Sequence, residues 1–361
     1  MSAALITDNA WLAQVCEELG SATICALDTE FVWRNTYKPL LGLIQVAAPG
    51  GPEFLVDPLK ITDYSPLTKV LQAPGCLKML HACSQDLPIL RDHLALPVNM
   101  LDTQIAASFC GYAYQISYAK LAFACLGIEP DKSAQRSNWL RRPLTDKQLL
   151  YATQDVTALL EIYKVLQEKL ESSGRMEWAL AESADFANAT MAGLERPTYL
   201  KIKGYGRCQG REFWLLQRLA TWRDETAQKR DCPPRWVLDD PTMLALARRQ
   251  PQSRNQLFSL PDSDQRGLNR YGRDVLPIIE EAQDVPAEEW PKRERRAAPS
   301  ASEKEELERL GKKLDAIGEA TGIAREMLLS RQVLTQLVRD PATAESAITG
   351  WRAELLSDLL G

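Results

Sequence analysis

Apolar and polar positions change period along the chain. Residues 23–27 (TICAL), 40–48 (LLGLIQVAA) and 53–57 (EFLVD) are short apolar runs of strand length. Gly50-Gly51-Pro52 between the last two is turn chemistry, so they are expected to form a hairpin. Residues 77–81 (LKMLH) and 98–101 are further strand candidates, and helical patterns follow the third, fourth and fifth runs. Three strands, then strand–helix alternation, predict an α/β domain with a mixed sheet. After Lys203-Gly204-Tyr205-Gly206 the strand signals stop. Residues 213–222 place Leu215, Leu219 and Trp222 at helical spacing, and helices are expected over 241–249, 253–259 and 267–282. Residues 285–306 are rich in Pro, Ala, Ser and charge and read as a linker, and 307–360 is helical again. The expected layout is an α/β domain at 1–205, a helical module at 206–286, a linker at 287–304 and a second helical module at 305–361.

Charge changes this picture locally. The whole chain, 361 residues long, has 43 basic and 48 acidic side chains, a net of -5. Residues 206–273 nevertheless carry 13 basic against 8 acidic, a net of +5, so the first helical module is a basic island able to attract phosphates. The bland alternative is a solvated helical surface that braces the first domain. The flanking parts are at -4 (1–205) and -6 (274–361), and the last module reads as structural or as a partner surface. No run approaches the ~18 apolar residues of a membrane span. Residues 1–10 lack a basic then apolar leader pattern, so a cytoplasmic protein without membrane contact is expected, and a monomer by default. Eight cysteines without a CxxC pair read as free thiols, not as a disulfide framework or zinc site. With only two histidines, any metal site must be built from carboxylates.

Three features carry candidate chemistry. Asp28 and Glu30 stand two apart at the end of the first strand run, where period two turns both carboxylates to one side. A hard divalent cation would relieve their repulsion, although an isolated DxE more often marks a loop. Asp86 follows the run ending at His81, where Ser84 is placed to cap a helix and Asp86 falls in its first turn. Thr145 and Gln148 form a capping box, with Leu144 and Leu149 as its hydrophobic staple. The helix they start buries Ala152, Val156, Leu159 and Tyr163 and carries Tyr151 and Asp155 on another face. Each of these has a purely structural reading when taken alone.

Taken in order, the set resembles the DEDD superfamily of 3′–5′ exonucleases, in the branch with Tyr in its third motif. LDTEFVWRNTYKPLLGLIQVA, HACSQDL, DTQIAASFCG and DKSAQRSNWLRRPLTDKQLLYATQDV are similar to the bacterial ribonuclease D family. RWVLDDPTMLALARRQP and LNRYGRDVL resemble the HRDC helical domain, and ITGWRAELL its more divergent second copy. The module departs from the HRDC pattern at Leu260-Pro261-Asp262-Ser263, where a Gly often follows the apolar residue. The resemblance implies a ribonuclease H-like exonuclease fold followed by two HRDC-like domains. It implies that Asp28, Glu30, Asp86 and Asp155 hold two divalent ions, Mg²⁺ or Mn²⁺, which in such sites stand ~3.5–4 Å apart and clamp an in-line phosphoryl transfer. Tyr151, a phenol with an ordinary pKa of about 10, would position water rather than act as a base. The implied substrate is RNA with a free 3′ end, tRNA precursors above all, releasing nucleoside 5′-monophosphates. A DNA-directed exonuclease and a non-catalytic RNA scaffold stay open as alternatives. Phe31 can wedge against a terminal base or pack in the core. Trp139, Arg141 and Arg142 can contact substrate or cap the surface. His81 is expected to pack at the strand end with one hydrogen bond.

Overall fold

The computed structural model describes residues 3–51, 53–292, 298–341 and 348–357. The chain divides into two compact units. One comprises residues 1–31, 41–191 and 298–361; the other comprises 32–40 and 192–297.

The first unit is built on a six-stranded sheet. Its elements begin with β1 (Ala4–Ile6), α1 (Asn9–Leu19), β2 (Ile24–Val32), β3 (Leu40–Ala47) and β4 (Glu53–Val56). Then follow α2 (Ser65–Gln72), β5 (Leu77–Leu80), α3 (Asp86–His93), β6 (Met100–Asp102), α4 (Thr103–Phe109), α5 (Tyr118–Leu126), α6 (Asp146–Ser172) and α7 (Met176–Leu194). The strand order is β1-β4-β3-β2-β5-β6. β3 and β4 pair antiparallel as the expected hairpin, and Pro52 of its turn lies outside the described residues. β1 runs parallel to β4, and β5 is parallel to both β2 and β6. The mixed α/β sheet expected from the sequence is therefore present, with β1 as an added edge strand too short to signal itself.

Period two along β2 explains where the site falls. Cys25 and Leu27 join a core with α1, α2 and α3, whereas Ala26 joins the opposite core with Val156 and Leu159 of α6. Asp28 and Glu30 continue the Ala26 face, on the α6 side. They lie inside β2, which runs on to Val32, and not at its end. Strand pairing has outweighed the local polarity of the segment.

The C-terminal helices α12 (Ala301–Thr321), α13 (Arg325–Leu328), α14 (Arg331–Arg339) and α15 (Trp351–Leu355) belong to this same unit, after α8 to α11 of the other. Leu310, Leu314, Leu328 and Trp351 share a core with Phe109, Leu166 and Leu170. The described helices within residues 305–357, expected as part of a module of their own, thus bury their apolar faces on the helices of the sheet unit. α12 also starts inside the expected linker, because Ser300 and Glu303 close a capping box.

The described residues of 192–297 in the second unit carry no strand; their α-helices are α8 (Gly210–Lys229), α9 (Asp240–Arg249), α10 (Arg254–Phe258) and α11 (Gln265–Asp284). All four cover helices expected from the sequence. Asp262 holds φ at 52°, so the non-glycine residue of the divergent loop adopts the left-handed conformation that favours glycine. Among the described residues no helix is long and apolar enough to cross a membrane, and the eight cysteines are free thiols.

Candidate active site

Three elements bring the acidic residues to one cleft of about 510 Å³. β2 supplies Asp28 and Glu30, α3 supplies Asp86, and α6 supplies Tyr151 and Asp155; Tyr118 of α5 and Phe31 also line it. The parallel pairing of β2 with β5 sets Ala26 opposite Met79, so the chain leaving β5 turns into α3 beside the acidic half of β2. A cleft at the carboxyl ends of parallel strands is the usual place for a ligand in an open α/β sheet.

The turn before α3 is shaped by a residue that the motif reading passed over. Asp102 is fully buried. Its carboxylate accepts from the backbone N–H groups of Ala82, Cys83 and Gln104 at 3.0, 3.0 and 2.8 Å. It caps α4 and ties down the turn that carries Asp86. The signal was in the sequence, an Asp ahead of a helix, but its second partner lies twenty residues away. Ser84 does not cap α3; Gln85 occupies that position without a side-chain bond, and Asp86 is in the first turn as expected. The Thr29 hydroxyl donates to the Asp86 carboxylate. Thr29 itself was not anticipated, being hidden between the two acids of the motif.

α6 begins as predicted. The Thr145 hydroxyl accepts from the Gln148 N–H at 3.3 Å, and Gln148 Oε1 accepts from the Thr145 N–H at 3.1 Å. Ala152, Val156, Leu159 and Tyr163 are buried. Tyr151 and Asp155, one turn apart, hydrogen-bond through their side chains. The Tyr118 hydroxyl donates to the Asp155 carbonyl at 2.8 Å, bracing that turn.

Carboxylate oxygens of Asp28, Glu30 and Asp155 all lie within 4.8 Å of one another. Asp86, held by Thr29, stands outside that trio but close enough to raise the Asp28 carboxyl. Burial is the first cause of strain at all four carboxyls, and repulsion within the set adds to it at Asp28 and Glu30. Burial, then Asp86 and Asp155, push Asp28 well above the usual carboxylate range. Burial, then Asp28, Asp155 and Asp86, push Glu30 up to about 10. Burial raises Asp155 to about 7 against the Tyr151 hydrogen bond, and Asp86 to about 6 against the Thr29 bond. The Tyr151 phenol is also driven up, by burial and then by Asp155, Glu30 and Asp28. Such a set cannot be fully ionised without compensating positive charge, and oxygen-only donors suit a hard divalent cation.

The other expected contacts divide. Phe31 lines the cleft while packing against the α1–α3 core. Trp139 is 1% exposed and packs tightly on Gly42, so its indole is not available to substrate. Arg142 is also spent inside the fold. Its five N–H donors meet five acceptors: both Asp57 oxygens and the carbonyls of Trp139, Arg141 and Gly42, at 2.6–3.0 Å. Arg141 is exposed but does not line the cleft. His81 lies at the cleft wall with Nδ1 3.0 Å from the Thr103 hydroxyl, as its packing role requires.

Comparison with known proteins agrees with this arrangement. Residues 3–171 match the 3′–5′ exonuclease domain family, and 212–279 match the HRDC domain. The chain is 36% identical over 366 residues to ribonuclease D of Pseudomonas paraeruginosa, covering 98% of this chain and 96% of that one. It is 33% identical over 369 residues to ribonuclease D of Escherichia coli K12, covering 100% and 98%. The crystal structure of E. coli RNase D, described as an exoribonuclease involved in structured RNA processing, superposes with a TM-score of 0.89 at 32% identity, over 100% of this chain and 98% of that one. Coverage of almost every residue by relatives above 30% identity, with an exonuclease domain holding clustered acids, means that the chain belongs to the ribonuclease D family.

Proposed function

We propose that the protein is a divalent-metal-dependent 3′–5′ exoribonuclease that trims structured RNAs, tRNA precursors among them, as a soluble cytoplasmic monomer. The observation that carries this is the convergence of three carboxylates within 4.8 Å in a cleft of a ribonuclease D family chain. Asp28, Glu30 and Asp155 would hold Mg²⁺ or Mn²⁺, with Asp86 completing the acidic wall. Such ions would supply positive charge to the oxygens of an in-line phosphoryl transfer. Tyr151 stays neutral across the working range, so its hydroxyl orients the incoming water and does not abstract its proton. Asp155 holds that phenol by its hydrogen bond, and Tyr118 holds the Asp155 backbone. Phe31 sits in the cleft where a terminal base can stack. The products are a nucleoside 5′-monophosphate and an RNA shorter by one residue.

The test is release of nucleotide from 3′-labelled RNA and from DNA of the same sequence, with Mg²⁺, Mn²⁺ or EDTA. Metal-dependent release of 5′-monophosphate from RNA is expected. Faster release from DNA would reassign the substrate, and no release from either would end the enzymatic reading.

A further inference from the structure

We propose that Cys25 and Cys76 form a two-coordinate site for a soft monovalent cation of the Cu⁺ class, with Lys78 as its counter-charge. This site is separate from the acidic cleft and does not depend on the nuclease reading. Cys25 lies in β2, and Cys76 immediately precedes β5, which runs parallel to β2. The two Sγ atoms share a hydrogen bond at 3.7 Å, and both thiols are buried in the core formed with α1, α2 and α3. The register sets Lys78 opposite Cys25, and period two turns Cys76 and Lys78 to the same face. Lys78 is itself fully buried, and its ammonium donates to the carbonyls of Ala73 and Cys76, both at 2.6 Å. Burial lowers its pKa, and the opposing pull comes from Cys76 and Cys25, not from a carboxylate.

A buried ammonium without an anion is costly, so a ligand that leaves negative charge beside it is favoured. The Cys25 hydrogen bond, helped by the Lys78 charge, already brings the Cys76 thiol down to about 7 against its burial. Binding of a monovalent cation forms two metal–sulfur bonds and releases both thiol protons. The cation with its two thiolates carries one net negative charge, which the Lys78 ammonium cancels. Zinc would give a neutral set and lack two of its four ligands. A disulfide would need an oxidant, would also be neutral, and would leave the ammonium alone. Donors that are all sulfur select Cu⁺ over the hard cations suited to the acidic cleft. Entry is short, because exposed Pro74 and Gly75 precede Cys76, and a Cβ at Gly75 would meet nothing within 4 Å.

The test titrates the reduced full chain with Cu⁺ under argon against bicinchoninate, a coloured Cu⁺ chelator. One tight ion per chain is expected, and X-ray absorption at the copper edge should show two sulfur ligands and no nitrogen or oxygen. Cys25→Ser and Cys76→Ser should each weaken the site about a hundredfold or more, and Lys78→Met roughly tenfold. Cys110→Ser and Cys232→Ser should keep the parent affinity. The bound ion ties β2 to β5, so it should raise the melting midpoint of the parent and leave that of Cys25→Ser unchanged. Parent affinity in both Cys25→Ser and Cys76→Ser would overturn the site, as would three or more ligands at the copper. The absorption spectrum is read on the parent, so a variant that fails to fold does not remove the test. A Cys25–Cys76 disulfide formed by peroxide in a chain that takes up no Cu⁺ would make the pair a redox couple and overturn the metal assignment.

Discussion

Asp28, Glu30, Asp86 and Asp155 are held where their charges oppose one another, and that cost can be measured. In the folded, metal-free protein their carboxyls keep protons that an unfolded chain releases above about pH 4. The folded state therefore binds more protons, and stability falls as pH rises from about 4 through the Asp86 and Asp155 values of about 6 and about 7. Thermal melts in EDTA should show a lower midpoint at pH 8 than at pH 5.5. Mn²⁺, which binds the ionised set, should raise the midpoint more at pH 8. Asp155→Asn removes one of the opposed charges and is expected to melt a few degrees higher without metal, roughly 2–4 °C for about 1 kcal/mol. It should also lose about 10²–10³-fold or more in turnover, as should Asp28→Ala. Tyr151→Phe should lose about 10²-fold while Mn²⁺ affinity by calorimetry stays near that of the parent. Equal melting at both pH values in EDTA, or near-parent rates for Asp155→Asn, would refute the opposed-carboxylate account.

The segment leading into α6 shows what sequence reading reaches and where it stops. The capping box and the face shared by Tyr151 and Asp155 are local, within four residues, and both are present in the structure. Trp139 and Arg142 looked like substrate contacts because their partners are remote: Asp57 is 85 residues and Gly42 is 100 residues from Arg142. Asp102 and Thr29 escaped notice for the same reason, since each braces a site element from a distant stretch of chain. The extent of β2 was missed because strand pairing, not local hydrophobicity, carries it past Asp28 and Glu30. The remote contacts make their own prediction. The Asp57 side chain is only 2% exposed, so Arg142→Ala strands a buried carboxylate and should cost about 3–5 kcal/mol in urea unfolding. A Cβ at Gly42 would stand 2.7 Å from the Trp139 Cβ and 2.8 Å from its carbonyl oxygen, so Gly42→Ala should cost about 1–3 kcal/mol. A loss below roughly 1 kcal/mol for Arg142→Ala would return that arginine to the list of candidate substrate contacts.

Helices α12 to α15 pack in the same unit as the sheet. The Trp351 indole stacks on Trp178 with ring centres 5.6 Å apart at 22°, and meets the Phe109 ring edge-on at 4.9 Å. Arg352 pairs both Glu182 oxygens at 2.6 and 2.7 Å. Arg175 of the same unit donates to the carbonyls of Phe109 and Thr321 at 2.8 and 2.7 Å. These contacts bind α4, α7 and the turn before α7 to residues more than a hundred positions later. Helices as short as α13 and α15 cannot bury an apolar face alone, and α4 through α7 would expose Phe109 and Trp178 without them. A chain ending at residue 297 should therefore melt well below the full protein or aggregate, and bind a hydrophobic dye in its folded form. Trp351→Ala in the full chain separates packing from chain length and should cost about 3–5 kcal/mol. Because the acidic cleft draws its residues from β2, α3 and α6, the Trp351→Ala protein should still bind Mn²⁺ at low temperature. An unchanged melting midpoint for the shortened chain would mean that the C-terminal helices fold as a separate body, and that the exonuclease sheet and its own helices suffice without them.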